Sequence, residues 1–282
     1  MKLKTLLGSY PVTQALRDGR VRSSLVELDI ADVKVPHTAF KRVVRNLEFD
    51  VAEIAIVTFL MARSFGKPYK LLPAVMFGRF QHPYLVATRD WRPKDLEGRK
   101  VAIRSSSVTT VAWVRGILAD DHGVDLSRVR WVTFEEAHVA EFKDPPGTER
   151  APAGKTALGM LLDGEVDAAV LSDPVPQDPR LRPVIPNPQA AAEEWHRRKG
   201  ALQVNHMICV RQDMAPDVVR EVYRMLRESK RIGAEEAETC PFGFEANRRN
   251  LEVAIDYLYR QGLIPERCAV DELFDDVTRH LN

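Results

Sequence analysis

A few histidine, arginine and carboxylate side chains suit proton transfer to a bound organic acid. Arg79 and His82 lie three residues apart in one polar stretch, where an arginine can hold a carboxylate beside an imidazole that can donate a proton. Glu53 adjoins a long apolar run, and His206 lies late in the chain. We predict that His82 is the proton donor and that Glu53 orients its ring, with His206 as the alternative donor. These residue types indicate an acid–base site.

A run of hydroxyl side chains forms a second candidate site, for binding an anion. It follows a predicted strand at Lys100–Ile103 and leads into a predicted helix that begins at Thr109. Hydroxyl groups and free N–H groups at a helix start can hold a carboxylate, although ordinary capping is the alternative. The predicted substrate-binding side chains are Arg79, Thr58, Arg104, Ser106, Thr109, Thr110 and Asp173.

Composition excludes several classes of partner. The 282 residues carry a net charge of +1, which is too small to attract nucleic acid or an anionic membrane. The apolar runs are too short to span a bilayer, and the first residues lack the apolar region of a signal peptide, so we expect a cytoplasmic protein. We leave a homo-oligomer open.

Cofactor chemistry is not expected from the sequence. Cys209, Cys240 and Cys268 lack the spacing of a metal site or a disulfide framework and are predicted to be free thiols. We therefore expect no cofactor and no metal site. A divalent ion held by Glu53, His82 and His206 stays open, but no close ligand spacing supports it.

The elements that must position these residues alternate between strand and helix, which predicts an α/β fold. A strand is expected at Leu47–Val51 and a buried helix at Ile54–Met61, and the last predicted helix is Val270–Arg279. The stretch Arg89–Gly98 is charged and lacks apolar periodicity, which indicates a boundary. The predicted lobes are residues 1–93 with 206–282, and residues 94–205, with a ligand cleft between them.

Five segments resemble the 4,5-dihydroxyphthalate decarboxylases, in the same order and with similar spacing. They are FDVAEIAIVTFLMAR (Phe49–Arg63), FGRFQHPYLV (Phe77–Val86), DLEGRKVAI (Asp95–Ile103), TTVAWVRGILADDHGV (Thr109–Val124) and GEVDAAV (Gly164–Val170). The resemblance implies the two-lobed fold of type 2 periplasmic binding proteins, here with helices at the C-terminal end. It also places a histidine at position 82.

The chain departs from the pattern of that family at three places. Val57–Thr58–Phe59 stands where the family has Ser-Ser-Tyr, and Gln81 stands where it has arginine before the histidine. Arg104–Ser107 stands where the family has Glu-Tyr-Gln. These differences indicate a related but different substrate.

The resemblance implies a carboxy-lyase that removes CO2 from a hydroxylated aromatic acid of the phthalate or benzoate type, in aromatic compound degradation. Such a reaction needs a proton donor, donors for the carboxylates and a dry pocket, but no organic cofactor. Two alternatives remain: a solute-binding protein for a small aromatic anion, and a dehydratase on the same scaffold.

Overall fold

Two separate β-sheets, one in each of two structural units, organise the computed structural model, which describes residues 1–172, 174–233 and 239–282. The first unit consists of Met1–Arg79, Val204–Ile255 and Glu266–Asn282. The second consists of Phe80–Gln203 and Asp256–Pro265. Each unit combines its sheet with helices, and this confirms the predicted α/β fold class.

The sheet of the first unit is mixed. Its strands are β1 (Lys2–Leu6), β2 (Glu27–Ile30), β3 (Val51–Ala55), β4 (Tyr69–Gly78) and β11 (Val204–Arg211). Their order is β2-β1-β3-β11-β4; β1 pairs in parallel with β2 and β3, whereas β11 runs antiparallel between β3 and β4. The helices are α1 (Pro11–Arg17), α2 (Phe40–Asn46), α3 (Ile56–Ser64), α7 (Pro216–Gly233) and α8 (Phe244–Arg260), with 3-10 turns at Pro36–Ala39, Val270–Leu273 and Thr278–His280. The residues of α8 from Asp256 onward are assigned to the second unit.

The second unit has shorter strands. They are β5 (Leu85–Ala87), β6 (Lys100–Ile103), β7 (Arg130–Thr133), β8 (Glu149–Arg150), β9 (Ala168–Val170) and β10 (Arg182–Pro183), in the order β10-β5-β9-β6-β7-β8. Its helices are α4 (Thr109–His122), α5 (Ala157–Leu162) and α6 (Pro188–Lys199), with 3-10 turns at His82–Tyr84, Pro93–Leu96 and Leu126–Arg128.

Strand β3 and helix α3 follow one another without a loop. All 5 residues of β3 are buried, and so is the run Ile56–Ala62 at the start of α3. A strand that lies between two others and is covered on both faces is normally apolar throughout. Glu53 is therefore an exception that needs partners, because an unpaired carboxylate in the interior is costly.

The element bounds predicted around Glu53 are wrong by a few residues. Leu47 does not begin a strand; it ends α2 in the left-handed conformation, with φ of 52°. Ile54 belongs to β3 and not to the following helix. The physical reason is that a fully buried run has no polar side to mark its period, so strand and helix look alike in it.

The helix predicted at Val270–Arg279 is wrong, since only two 3-10 turns form there. The carboxylate of Asp275 accepts hydrogen bonds from the N–H groups of Val277 at 3.0 Å and Thr278 at 2.7 Å. A side chain that takes up these N–H groups competes with the helical pattern.

The first unit ends at Arg79, earlier than the boundary predicted at residue 93. Strand β5 was expected in the first lobe, but it pairs with β9 and β10 in the second sheet. A local sequence pattern does not show which sheet a strand joins. The second unit also includes Asp256–Pro265, which was predicted in the first lobe, whereas the return at Val204 lies close to the predicted residue 206.

Candidate active site

Strand β11 brings His206 beside Glu53 in the sheet of the first unit. In the pairing of β11 with β3, Ile208 lies opposite Glu53 and His206 lies opposite Ala55. On its other side, His206 lies opposite Phe77 of β4. Alternate side chains of a strand lie on one face of the sheet, so Glu53 and His206 are diagonal neighbours on the same face.

The carboxylate of Glu53 receives three hydrogen bonds. Its Oε1 lies 2.7 Å from Nδ1 of His206 and accepts a hydrogen bond of 2.8 Å from the hydroxyl of Tyr10. Its Oε2 accepts from the N–H group of Gly8 at 2.7 Å. These donors compensate the cost of burying the carboxylate, which is 0% exposed. With Nδ1 turned to Glu53, Nε2 is the ring nitrogen that would exchange a proton with a ligand.

Aromatic side chains surround this pair. The ring of Phe40 lies edge-on to His206 with centroids 5.2 Å apart, and the ring of Phe77 lies 5.6 Å from it. Phe77 also stacks on Tyr10 at 5.9 Å and lies beneath the guanidinium of Arg79 at 5.1 Å. Arg79 is therefore close to the pair, as an anion-binding residue should be. We call the following residues the His206 cluster: Tyr10, Phe40, Glu53, Phe77, Arg79 and His206.

Two other ionisable groups of the first unit stay neutral. Burial raises the pKa of Tyr10, and the charge of Glu53 raises it further, so the tyrosine keeps its proton and acts as a donor. Burial also raises the pKa of Cys240, which interacts electrostatically with Glu53. A neutral thiol at this position is a weak nucleophile.

His82 has a different environment, in the second unit. It is 0% exposed, and its ring lies edge-on to Trp195 with centroids 6.4 Å apart. Neither ring nitrogen has a hydrogen-bond partner among the residues that the structure describes. Burial lowers the pKa of His82 to about 4, so its ring is neutral near pH 7. The histidine that Glu53 contacts is His206, and the predicted pairing of Glu53 with His82 is corrected accordingly.

The predicted hydroxyl run lies together at the N-terminus of α4 in the second unit. Ser106 and Thr109 are buried, and in the described part of the chain their hydroxyl oxygens have no hydrogen-bond partner. Thr110 is buried beside them, while the hydroxyls of Ser105 and Ser107 lie 3.2 Å apart. The first turn of a helix also leaves N–H groups without intrahelical partners. This geometry suits a bound carboxylate, and that role stays a prediction.

The surroundings of the other predicted binding residues give less support for a role in substrate binding. Arg104 forms an ion pair with Glu135, with Nε and Oε2 3.6 Å apart. Thr58 is fully buried within α3 and does not cap it, since the N-cap residue is Ala55. Asp173 lies outside the described residues.

Sequence reasoning missed Tyr10, Gly8 and Phe77, which complete the surroundings of Glu53 and His206. A glycine and a tyrosine close together near the N-terminus carry no signal for this role. Sequence reasoning also missed the position of Arg115 in the second unit. This arginine is buried, its guanidinium lies 4.1 Å from the ring centroid of Trp131, and burial lowers its pKa to about 10.

The described residues contain neither a cluster of metal ligands nor a helix that could span a membrane. No three His, Cys, Asp or Glu side chains in that part of the chain are grouped as metal ligands would be. None of the helices there is both long and apolar enough to cross a bilayer. The absence of a cofactor, the cytoplasmic location and the oligomeric state stay predictions.

Two relatives of this chain among known proteins carry the same name. No family model matches the chain. A 4,5-dihydroxyphthalate decarboxylase of Comamonas testosteroni is 28% identical over 231 residues, which are 76% of this chain and 69% of that protein. One of Pseudomonas putida is 29% identical over 213 residues, 70% of this chain and 82% of that protein. The chain is similar to the 4,5-dihydroxyphthalate decarboxylases. The predicted resemblance is thereby confirmed, and both names support the expected carboxy-lyase.

The similarity to solved structures concerns the fold. The alkanesulfonate-binding protein of Xanthomonas axonopodis pv. citri superimposes with a TM-score of 0.60 over 97% of this chain and 98% of that protein, at 13% identity. This confirms the predicted periplasmic-binding-protein-like fold for a chain that resembles the 4,5-dihydroxyphthalate decarboxylases. At such low identity the match shows the fold alone.

Proposed function

We propose that this chain is a decarboxylase of a hydroxylated aromatic carboxylic acid that works without an organic cofactor. The names of the two relatives support the type of reaction. The observation that carries the proposal is the contact of 2.7 Å between the buried Glu53 and the partly buried His206. A carboxylate that holds one imidazole nitrogen stabilises the protonated ring and fixes the other nitrogen for proton transfer.

The reaction consumes one proton and releases CO2. The protonated His206 gives its Nε2 proton to the ring carbon that bears the carboxylate, and a hydroxyl group ortho or para to that carbon stabilises the positive charge. The bond to the carboxylate carbon then breaks, its electron pair restores the aromatic ring, and CO2 leaves. Solvent returns a proton to His206. Hydrogen thus replaces the carboxylate on the ring.

Glu53 and the aromatic side chains have separate tasks in this scheme. Glu53 keeps the imidazolium oriented and compensates its charge while the proton is available. Phe40 and Phe77 lie against the ring of His206 and limit access of water. A dry environment strengthens the electrostatic contribution of Glu53.

The substrate carboxylates need cationic or N–H donors. In the first unit, Arg79 beside Phe77 is the candidate. In the second unit, the candidates are the hydroxyls of Ser106 and Thr109 with the N-terminus of α4. The predicted binding of the substrate in a cleft between the lobes stays a prediction.

The preferred substrate is a further part of the proposal. The chain differs from the family pattern at Val57–Thr58–Phe59, at Gln81 and at Arg104–Ser107. Thr58, Gln81 and Ser106 are fully buried, so changes there alter packing as well as polar contacts. We therefore expect a hydroxylated aromatic acid that is related to, but different from, 4,5-dihydroxyphthalate.

The test is an incubation of the purified protein with hydroxybenzoates and hydroxyphthalates labelled with 13C at the carboxylate. Release of labelled CO2 from at least one of them, at the same rate before and after treatment with a chelator, is the expected result. Tight binding of an aromatic acid without any CO2 would favour the solute-binding alternative. Loss of water from a substrate would favour the dehydratase alternative.

A further inference from the structure

The oxygen of Glu53 that contacts His206 is shared with a second donor. Nδ1 of His206 lies 2.7 Å from Oε1, and the hydroxyl of Tyr10 donates to that same oxygen at 2.8 Å. Because Tyr10 stays protonated at this half-buried position, its hydroxyl remains a donor. A carboxylate oxygen that accepts a second hydrogen bond offers less negative charge to the first donor.

Gly8 makes room for the ring of Tyr10. A Cβ atom at Gly8 would lie 2.4 Å from Cε2 and 2.8 Å from the hydroxyl oxygen of Tyr10, which is far inside normal contact distance. The ring therefore folds back over residue 8, where any side chain would displace it. The N–H group of Gly8 meanwhile donates to the other oxygen of Glu53 at 2.7 Å.

Two further kinds of contact, hydrogen bonds and ring stacking, fix the position of Tyr10. The N–H group of Tyr10 donates to the hydroxyl of Thr13 at 3.0 Å, and that hydroxyl donates to the carbonyl of Gly8 at 2.7 Å. The ring of Tyr10 also stacks on Phe77, with an angle of 5° between the ring planes. The hydroxyl of Tyr10 is thus held at Glu53 by contacts that do not involve the carboxylate.

We propose that Tyr10 is a positioning residue that keeps His206 a strong enough acid, and that Gly8 is required because it admits the tyrosine ring. An imidazolium that faces an unshared carboxylate is a weaker acid and gives up its proton less readily. By taking part of the charge of Oε1, Tyr10 prevents this. The inference rests on the proposed role of His206 as the proton donor.

The test compares the wild type with Tyr10→Phe, which keeps the stacked ring and removes the hydroxyl. We expect kcat to fall roughly ten-fold, the scale of one charge-assisted hydrogen bond, with KM within about two-fold. The proton NMR signal of the His206 Nδ1–H group should move downfield, because Oε1 then serves His206 alone. Gly8→Ala should cause the same two changes by displacing the ring.

A matched control is Tyr69→Phe, which also removes a hydrogen-bonded tyrosine hydroxyl of the first unit. The hydroxyl of Tyr69 donates to the carbonyl of Phe49 at 2.8 Å, so its loss should lower stability and leave the His206 signal and kcat unchanged. The inference is overturned when Tyr10→Phe leaves the Nδ1–H signal in place, or lowers kcat only as much as Tyr69→Phe does. Failure of the wild type to release CO2 overturns the proposed function, while the NMR comparison still decides whether Tyr10 competes with His206 for Glu53.

Discussion

The two histidines that were candidates for the same task lie in contrasting surroundings. His206 of the first unit contacts a carboxylate that is itself held by Tyr10 and Gly8. His82 of the second unit packs on Trp195, and its ring nitrogens have no hydrogen-bond partner within the described ranges. A histidine thus faces a carboxylate in one unit and is kept neutral by burial in the other.

The comparison teaches that burial alone does not make a histidine functional. Burial without a partner disfavours the charged ring, whereas burial beside a carboxylate supplies a countercharge for it. A general acid must hold a proton before it can donate one. For the choice of proton donor, the position of His82 in a polar stretch after Arg79 is therefore weaker evidence than the contact of Glu53 with His206.

The largest effect is expected from Glu53→Gln. An amide at this position keeps the shape of the side chain but loses the charge, and its NH2 group faces donors. Turnover should fall by about a hundred-fold or more, the scale of a lost acid–base contribution. The control is Glu48→Gln, since Glu48 forms an ion pair with Arg42 at the same unit's surface and should not affect turnover. Equal loss in both variants would remove the distinction between Glu53 and an ordinary ion-pair residue.

The pH dependence of the free energy of unfolding should reveal the contribution of the neutral His82 ring. The unfolded chain protonates this ring below about pH 6.5, whereas the folded protein does so only near pH 4. The stabilising contribution is therefore complete above pH 6.5 and is lost as the pH falls towards 4. From pH 7 to pH 5 the free energy of unfolding should fall by about 2 kcal/mol through His82.

Urea unfolding of the wild type and of His82→Phe at both pH values measures this difference. The variant should lose less stability than the wild type on acidification. Parallel losses in the two proteins would mean that His82 has a partner when it is protonated, and the contrast with His206 would disappear.

A smaller effect is expected from Arg79→Ala. Removing a guanidinium that holds a carboxylate costs about 1.5–3 kcal/mol of binding, so KM should rise about ten-fold or more with a smaller change in kcat. The control is Arg45→Ala in the same unit, which should leave KM unchanged. Steady-state kinetics with the preferred acid decide this, and an unchanged KM would exclude Arg79 as the carboxylate-binding residue.

The smallest effect is expected from Ser106→Ala in the second unit. The Ser106 hydroxyl is buried without a partner in the described part of the chain, so its removal should not lower the melting temperature. If it binds a substrate carboxylate, the affinity should fall by a few-fold, about 1 kcal/mol. Calorimetric titration measures the change in affinity, and thermal unfolding of the same sample measures the change in melting temperature. A drop in melting temperature with unchanged affinity would indicate a structural role.

Local elements were largely predictable from the sequence. The strand at Lys100–Ile103 has the predicted bounds, and α4 begins at Thr109 as predicted. Both segments follow a charged or polar stretch, which marks where the element begins. The buried run around Glu53 lacks such a mark, and the bounds predicted there were wrong.

The contact of Glu53 with His206 could not be predicted, although both residues were named as candidates. They are 153 positions apart and meet because β11 inserts between β3 and β4. Residue types reveal which side chains can do chemistry, but strand order decides which of them meet. Tyr10 was missed for the same reason, since only the folded turn brings its hydroxyl to Glu53.

The most direct measurement compares the release of CO2 by His206→Asn and His82→Asn, each confirmed as folded, with that of the wild type on the preferred acid. We expect His206→Asn to lose about a hundred-fold or more in turnover, the scale of a lost general acid, while His82→Asn retains most of it. Near-normal turnover by His206→Asn together with a comparable loss in His82→Asn would contradict the assignment of His206 as the proton donor.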